Sequence, residues 1–146
     1  MPDILHRVGI TAPPDAVFRA LTSPAELAAW WTSDTRSTDG SSLLMFRFGD
    51  VGGFDMKVLD AEAPKAVRWA VVDGPPEWIG TTVSFDLSRD GEWTIVLFQH
   101  AGWREPVEFM HHCSTKWAVF LMSLKSLVET GRGAPHPHDV QISNWH

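Results

Sequence analysis

The sequence predicts an α+β fold in which an antiparallel sheet of about six strands packs against one long C-terminal helix. Between residues 43 and 102 apolar and polar side chains alternate, which is the period of a β-strand. The turns between these segments are short, so neighbouring strands must run antiparallel, because parallel neighbours need long crossovers. From residue 106 to residue 130 the apolar side chains recur every three or four positions, which is typical of an amphipathic helix.

The first third of the chain predicts one strand and then two short helices. Residues 4–11 alternate apolar and polar side chains, as a strand does. Pro14 and the acidic residue after it fit the first turn of a helix, which tolerates proline and favours negative charge. The segment Ser23-Pro24-Ala25-Glu26 is a capping box, with a hydroxyl at the N-cap and a carboxylate three residues later. It opens the second helix, which carries Trp30 and Trp31.

The middle of the chain predicts five further strands. We place them at 43–49, 53–61, 65–72, 80–89 and 92–102. Glycine and proline residues interrupt the alternating pattern between these segments. The strongest turn signal is Asp90-Gly91, which lies between two alternating segments and predicts a tight hairpin.

The C-terminal region predicts a long helix and then an irregular tail. The helix spans 106–130, and Gly131 can cap its C-terminus in a left-handed conformation. At about 1.5 Å per residue such a helix is ~37 Å long, enough to cross a domain of this size. The tail from about residue 133 contains Pro135 and Pro137 and is predicted to be irregular. Residues 1–146 are assigned to a single domain, since ~150 residues per domain is typical.

Composition argues against a nucleic-acid-binding protein, a disulfide-rich secreted protein and a membrane-spanning protein. Lys plus Arg number 12 and Asp plus Glu number 18, so the net charge of −6 argues against a nucleic-acid partner. The single cysteine excludes an internal disulfide framework, and the N-terminus lacks the pattern of a secretory signal, so we expect a cytoplasmic protein. No apolar segment approaches the ~18 residues that a membrane span needs.

Three segments of the chain resemble a known family. They are residues 8–31, residues 94–103, which end in His-Ala-Gly-Trp, and residues 117–131. They resemble the opening, the last strand and the C-terminal helix of the START-like (SRPBCC) superfamily. Within it they are most similar to the branch named after the C-terminal domain of the heat-shock-protein-90 ATPase activator. The resemblance implies a helix-grip fold, in which the sheet grips the helix around a hydrophobic cavity.

Aromatic residues are the main candidates for a binding site, since the chain has eight Trp, eight Phe and no Tyr. In one interpretation they are core residues, because bulky aromatic side chains dominate packing. In the other, several of them line a cavity between sheet and helix. Strand parity and the helical stripe place these residues on facing surfaces: Trp69, Phe85, Phe98, Met110, Cys113, Trp117 and Phe120. The resemblance implies that the short helix before Trp30 and Trp31 closes one end of the cavity, and we expect one of the two to face inward and the other to lie at the rim.

His100 is the strongest polar candidate, because it has the inward parity of the last strand. One interpretation is a histidine that backbone partners satisfy at the end of that strand. The other is a donor that orients a ligand, or a weak acid–base group, and imidazole suits both roles. Cys113 lies on the apolar stripe of the helix, where a lone cysteine behaves as a small hydrophobic residue. No catalytic residue is predicted, since the sequence fixes no base beside a nucleophile.

Neither a metal nor a cofactor is predicted. The residues of His111-His112-Cys113 are consecutive and point about 100° apart on a helix, so one ion could not take all three. His136, His138 and His146 lie in the predicted tail, where we expect surface positions and, for any metal bound there, adventitious binding.

The charged residues of the strands are predicted to face away from the cavity. Strand parity puts Arg47 and Arg68 on the outer face, since only a shift of one residue would turn them inward. Asp50, Asp55 and Asp60 fit solvated turn or sheet-edge positions. An arginine inside the cavity would indicate a ligand with a carboxylate.

The sequence therefore predicts binding of an apolar or aromatic small molecule between the sheet and the C-terminal helix. His100 would orient the ligand, and Trp30 or Trp31 would control access. A second hypothesis, implied by the resemblance, is an enzyme similar to polyketide cyclases or dehydratases that uses the same cavity. A third is a protein-interaction domain, either co-chaperone-like or a homodimer. Binding without catalysis is the favoured prediction, because a fold of this kind does not fix a function.

Overall fold

The structure, a computed structural model, describes residues 2–146 and consists of one sheet, two short helices and one long helix. The elements are β1 (Ile4–Ile10), α1 (Pro14–Thr22), α2 (Pro24–Trp30), β2 (Asp34–Ser37), β3 (Leu43–Arg47), β4 (Gly53–Glu62), β5 (Ala66–Asp73), β6 (Thr82–Asp90), β7 (Trp93–Ala101) and α3 (Glu108–Thr130). The 3₁₀ turns Asp39–Ser41 and Gly49–Val51 flank β3. The predicted α+β class, with two short helices after the first strand and a long C-terminal helix, is confirmed. Within the described range no helix is long and apolar enough to cross a membrane.

The sheet is antiparallel, with the strand order β1-β7-β6-β5-β4-β3-β2. Over residues 2–146 it has seven strands rather than about six. The additional strand is β2, whose sequence Asp-Thr-Arg-Ser has no apolar alternation. It pairs with β3, where Thr35 lies opposite Phe46, and it forms an edge of the sheet. Backbone pairing rather than burial therefore holds β2, which is why a hydrophobic pattern could not reveal it.

Local signals in the sequence set several element boundaries. The Ser23 hydroxyl accepts a hydrogen bond from the backbone N–H of Glu26 at 3.4 Å and caps α2. Gly131 ends α3 with φ 86° and donates its N–H to the carbonyl of Leu127 at 2.8 Å. Gly91 has φ 61° in the β6–β7 hairpin, a conformation that glycine adopts without a steric cost.

The core lies between the inward face of the sheet and α3. Strand parity correctly predicted this face, because its residues are buried on three neighbouring strands: Val67, Trp69, Val71, Val83, Phe85, Leu87, Val96, Phe98 and His100. The helix covers them with its apolar stripe, in which Cys113, Trp117 and Phe120 are buried. Burial of these large side chains accounts for most of the hydrophobic stabilisation that holds the two layers together.

Three segments that are distant in sequence meet at Ser123 of α3. The Ser123 hydroxyl donates to the backbone carbonyl of Trp30 at 2.8 Å and accepts the N–H of Ala134 at 2.7 Å. A Cβ on Gly133 would lie 2.5 Å from the carbonyl oxygen of Ala29, so only glycine allows this close approach. The end of α2, the middle of α3 and the tail are thereby tied together at one point.

Candidate functional site

An open cavity of ≈ 990 Å³ lies between α3, the end of α2 and the loops that connect β3 to β4 and β5 to β6. This volume is at the upper end of the ~300–1,000 Å³ that is usual for small-molecule sites. The wall is largely aromatic. Eight aromatic residues line it: Trp31, Phe48, Phe54, Trp78, Phe109, Trp117, Phe120 and Trp145. Planar apolar groups could pack against such a wall over a large area.

Trp31 lies at the centre of the aromatic wall. Its ring centroid is 4.2 Å from that of Phe46, 4.8 Å from that of Trp117 and 5.2 Å from that of Phe54. Trp30 stacks on Trp31 at 5.6 Å, and its indole N–H donates to the carbonyl of Ala20 at 2.8 Å. Both tryptophans are buried, so the expectation that one of them lies at the rim is wrong. The end of α2 is covered by α1 on one side and by the sheet on the other, which leaves neither indole in water.

Trp78 belongs to the wall although it lies between two predicted strands, in a proline-rich segment without alternation. Its ring stacks on Phe54 with centroids 4.4 Å apart, and its indole N–H donates to the Cys113 sulfur at 3.4 Å. The N–H of Trp78 bonds to the carbonyl of Pro75 at 2.9 Å, so a tight turn directs the side chain inward. The sequence did contain one signal for this position: a tryptophan in a proline-rich turn. Tryptophan is highly buried on average, so the residue itself indicated an inward-facing side chain.

His100 has protein partners on both ring nitrogens. Its Nδ1 accepts the indole N–H of Trp117 at 3.1 Å, and its Nε2 lies 2.8 Å from the Thr81 hydroxyl oxygen. The Thr81 hydroxyl donates its own proton to the carbonyl of Trp78 at 2.6 Å. It therefore accepts a hydrogen bond from His100, and the proton of the neutral imidazole lies on Nε2. Burial lowers the pKa of His100 to about 3, and the imidazole is neutral at neutral pH. His100 thus connects the sheet, the β5–β6 loop and α3 instead of lining the cavity.

Cys113 lines the cavity as an unreactive thiol. Burial raises its pKa to about 12, against the smaller opposing effect of the hydrogen bond from Trp78. A nucleophilic cysteine needs a thiolate, which this environment disfavours strongly. The side chain therefore contributes polarizable apolar surface to the wall.

The ten predicted cavity residues divide into three groups. Four line the cavity: Trp31, Cys113, Trp117 and Phe120. Five are buried in the core behind the wall: Trp30, Trp69, Phe85, Phe98 and His100. Met110 is half-buried and packs against the core. The cavity lies towards the β3–β4 end of the sheet, whereas the sequence placed it at the centre, where aromatic side chains fill the space.

Arg47 and Asp55 lie on the cavity wall, whereas strand parity predicted an outward Arg47 and the sequence a solvated turn or sheet-edge position for Asp55. Arg47 donates to a carboxylate oxygen of Asp55 at 2.8 Å and to the carbonyl of Phe46 at 3.0 Å, and both Arg47 and Asp55 line the cavity. Arg47 is the last residue of β3, where the chain enters a 3₁₀ turn and strand alternation no longer fixes the side-chain direction. Arg68 is exposed, as predicted.

The irregular tail packs over the cavity mouth instead of lying free on the surface. The backbone N–H of His136 donates to the carbonyl of Trp31 at 2.8 Å, and its carbonyl accepts from Ser33 at 3.1 Å. Burial lowers the pKa of His136, although the neighbouring charge of Asp139 opposes this shift. The expected surface position of His136 is therefore wrong, while His138 is exposed as expected.

Asp139 is the buried charge of the tail. Its carboxylate forms an ion pair with Lys116 of α3 through one oxygen, Oδ2. Burial alone would raise the pKa of Asp139, but the hydrogen bond and charge of Lys116 outweigh it, and the pKa lies below its usual value. The carboxylate is consequently ionised at neutral pH.

The sheet, the long helix lying across it and the cavity between them define a helix-grip protein of the START-like superfamily. The family model described as "Activator of Hsp90 ATPase homolog 1-like protein" matches residues 11–129, and the chain belongs to this family. The resemblance seen in the sequence is thereby confirmed.

Solved structures agree with this assignment. The solution structure of the Aha1 dimer from Colwellia psychrerythraea is 44% identical, covers 91% of this chain and 100% of its own, and has a TM-score of 0.83. The protein MLL2253 from Mesorhizobium loti is 20% identical, with 87% and 96% coverage and a TM-score of 0.74. CalU16 from Micromonospora echinospora is 21% identical, with 88% and 77% coverage and a TM-score of 0.70. The last two show the fold alone. A search of the curated proteins found no match.

Proposed function

We propose that this protein binds an apolar or aromatic small molecule in the cavity between the sheet and α3. The observation that carries the proposal is the aromatic wall, which is still open to solvent at the mouth. Three rings of the wall, those of Phe48, Phe109 and Trp145, keep exposed surface, whereas Trp69 and Phe85 are packed fully into the core. Exposed apolar surface in a concave site is instead typical of ligand binding.

Polar groups at the mouth favour a ligand with one polar or anionic end. Arg47 and Lys116 both line the cavity. Arg47 forms an ion pair with Asp55, and Lys116 forms one with Asp139. These pairs fix the positions of the cations without burying an unpaired charge. An elongated ligand would place its rings against the wall and its polar end beside one of the cations.

The first test uses 1-anilinonaphthalene-8-sulfonate, an aromatic probe with one anionic group. We expect saturable binding of one probe per chain, with quenching of tryptophan emission because indoles line the site. Phe48→Ala removes one half-buried ring from the wall and should weaken binding at least fivefold, since each aromatic contact contributes about 1 kcal/mol or more.

Phe18→Ala is the matched control for Phe48→Ala. Phe18 is also half-buried against the core, but it lies on α1 outside the cavity, so its loss should leave probe affinity within twofold. Equal weakening by both variants would point to a general loss of stability. Probe binding that never saturates would contradict the proposal itself.

A second candidate function is self-association into a homodimer, which the solved relative from Colwellia favours because it is a dimer. On the outer face of the sheet, Leu5 of β1 and Leu97 of β7 are at least half exposed. Their strands pair directly, with Leu5 opposite Gln99, so the two leucines are near neighbours. We place the contact between two copies on this face.

Light scattering after size-exclusion chromatography tests the homodimer. We expect a mass of twice 16.3 kDa for the wild-type chain and half that value for Leu97→Glu, because a charge on the contact face must be desolvated. Met122→Glu is the control, since Met122 on α3 and Leu97 are both 50% exposed. A wild-type monomer would refute self-association, and a dimeric Leu97→Glu variant would place the contact elsewhere.

A further inference from the structure

Two histidines and one aspartate of the tail converge beside the cavity mouth. The ring nitrogens of His136 and His146 and the carboxylate of Asp139 offer ligand atoms that all lie within 4.8 Å of one another. His136 Nδ1 is 3.6 Å from Asp139 Oδ1, and His146 Nε2 is 3.5 Å from Asp139 Oδ2. Zinc binds nitrogen and oxygen at about 2.0–2.2 Å, so neighbouring ligands of a tetrahedral ion lie ~3.4 Å apart. Each histidine nitrogen lies close to this distance from one oxygen of the carboxylate, His136 from Oδ1 and His146 from Oδ2.

The Asp139 carboxylate provides a second, independent indication of a ligand. Its side chain has no exposed surface, and Oδ1 has no hydrogen-bond partner among the described residues. A buried carboxylate oxygen without a partner is costly, and such oxygens in proteins are normally hydrogen-bonded or coordinate an ion. Lys116 binds the other oxygen, which holds the carboxylate in place and leaves Oδ1 directed towards His136. Hydrogen-bonded carboxylates of this kind are common among metal ligands.

Backbone contacts and one aromatic neighbour hold His136 in position. Its backbone pairs with Trp31 and Ser33, and its ring packs edge-on against Phe48 with centroids 5.3 Å apart. The His146 ring faces the His136 ring, with the two imidazole centroids 6.0 Å apart. The His146 side chain is 46% exposed, so its ring is the least constrained of the three ligands.

We propose that His136, Asp139 and His146 bind one divalent transition-metal ion such as Zn²⁺. Two imidazoles and one carboxylate are a ligand set that suits Zn²⁺ and neighbouring first-row ions, and three protein ligands leave a position free. Both histidines line the cavity, so the site borders the space where the small molecule is proposed to bind. The Lys116 ammonium opposes a nearby cation, which sets the affinity below that of a similar site without a lysine.

The test is a titration of untagged, chelator-treated protein with Zn²⁺ by calorimetry and with Co²⁺ by visible absorption. We expect one ion per chain and the d–d bands of four-coordinate Co²⁺. His146→Ala and His136→Ala should each weaken Zn²⁺ binding at least tenfold. His146 is the decisive position, because its side chain is 46% exposed and its loss should leave the thermal unfolding of the metal-free protein unchanged.

His138→Ala and His111→Ala are the controls, since both residues are exposed histidines outside the cluster. They should change Zn²⁺ affinity less than twofold. Equal losses in the controls and in His146→Ala would mean adventitious binding only, and the absence of saturable one-to-one binding would also overturn the proposal. Phe109→Ala removes a ring of the cavity wall that packs against Trp103 and His112 and not against the cluster, so it should retain Zn²⁺ binding while weakening probe binding. Failure of the small-molecule proposal and failure of the metal proposal are therefore distinguishable.

Discussion

Replacing Trp31 by alanine should destabilise the protein by about 3–5 kcal/mol, the range for removing a large aromatic side chain from a packed interior. Trp31 is 2% exposed and touches aromatic residues from the sheet, from α2 and from α3. Its loss leaves a void between the sheet, α2 and α3, and these rigid elements cannot move together to fill it. Urea unfolding followed by far-ultraviolet circular dichroism measures the change in the free energy of unfolding.

Trp93→Ala is the matched control for Trp31→Ala. Trp93 is 43% exposed on β7 and interacts with the Lys125 ammonium, which lies 5.0 Å from its ring centroid. A cation–π contact at an exposed site contributes about 0.5–1 kcal/mol, so this variant should lose about that much. An equal decrease in the free energy of unfolding for both variants would show that Trp31 is not the centre of the aromatic packing.

The second large effect is a loss of stability at mildly acidic pH that originates at His100. Because burial lowers the pKa of His100 to about 3 in the folded chain, protons bind the unfolded chain first as the pH falls through 6.5. The stabilising contribution of the neutral ring is therefore complete above pH 6.5 and is lost progressively towards pH 3. Between pH 7.5 and pH 5 the free energy of unfolding should fall by about 2 kcal/mol from this residue alone.

His100→Gln isolates this contribution. A glutamine amide can accept the Trp117 indole N–H and donate to Thr81, but it does not titrate. Urea unfolding at several pH values above 5 should show a markedly flatter profile for this variant than for the wild type. His138→Gln, which replaces an exposed histidine, should keep the wild-type slope. A wild-type slope in His100→Gln would show that other histidines cause the acid sensitivity.

Elements with their own local signals could be predicted from the sequence. The strands β4 to β7 alternate because one of their faces is buried, and α2 begins at a serine that caps it. The strand β2 has neither signal, because an edge strand in water needs no apolar face. Its pairing with β3 depends on contacts that only the folded chain brings together.

The candidate site was harder to predict than the fold, because loops and the tail build most of it. Periodicity identified Trp117 and Phe120 on the helix, but no period describes Trp78 in its proline-rich turn. His136 and Asp139 come together because the tail reverses over α3, and nothing in the local sequence specifies that path. Strand parity also failed at Arg47, where the strand ends and alternation stops.

The junction at Ser123 ties the end of α2 and the start of the tail to the same point of α3. One hydroxyl bonds to both α2 and the tail, and the backbone of His136 pairs with the residues that follow α2. A ligand that moved Trp31 would therefore strain these same bonds, and a molecule that tightened the tail would change the affinity for that ligand by the same factor. Gly133 makes this linkage a property of the backbone, since a bulkier residue there would force the tail away from α2.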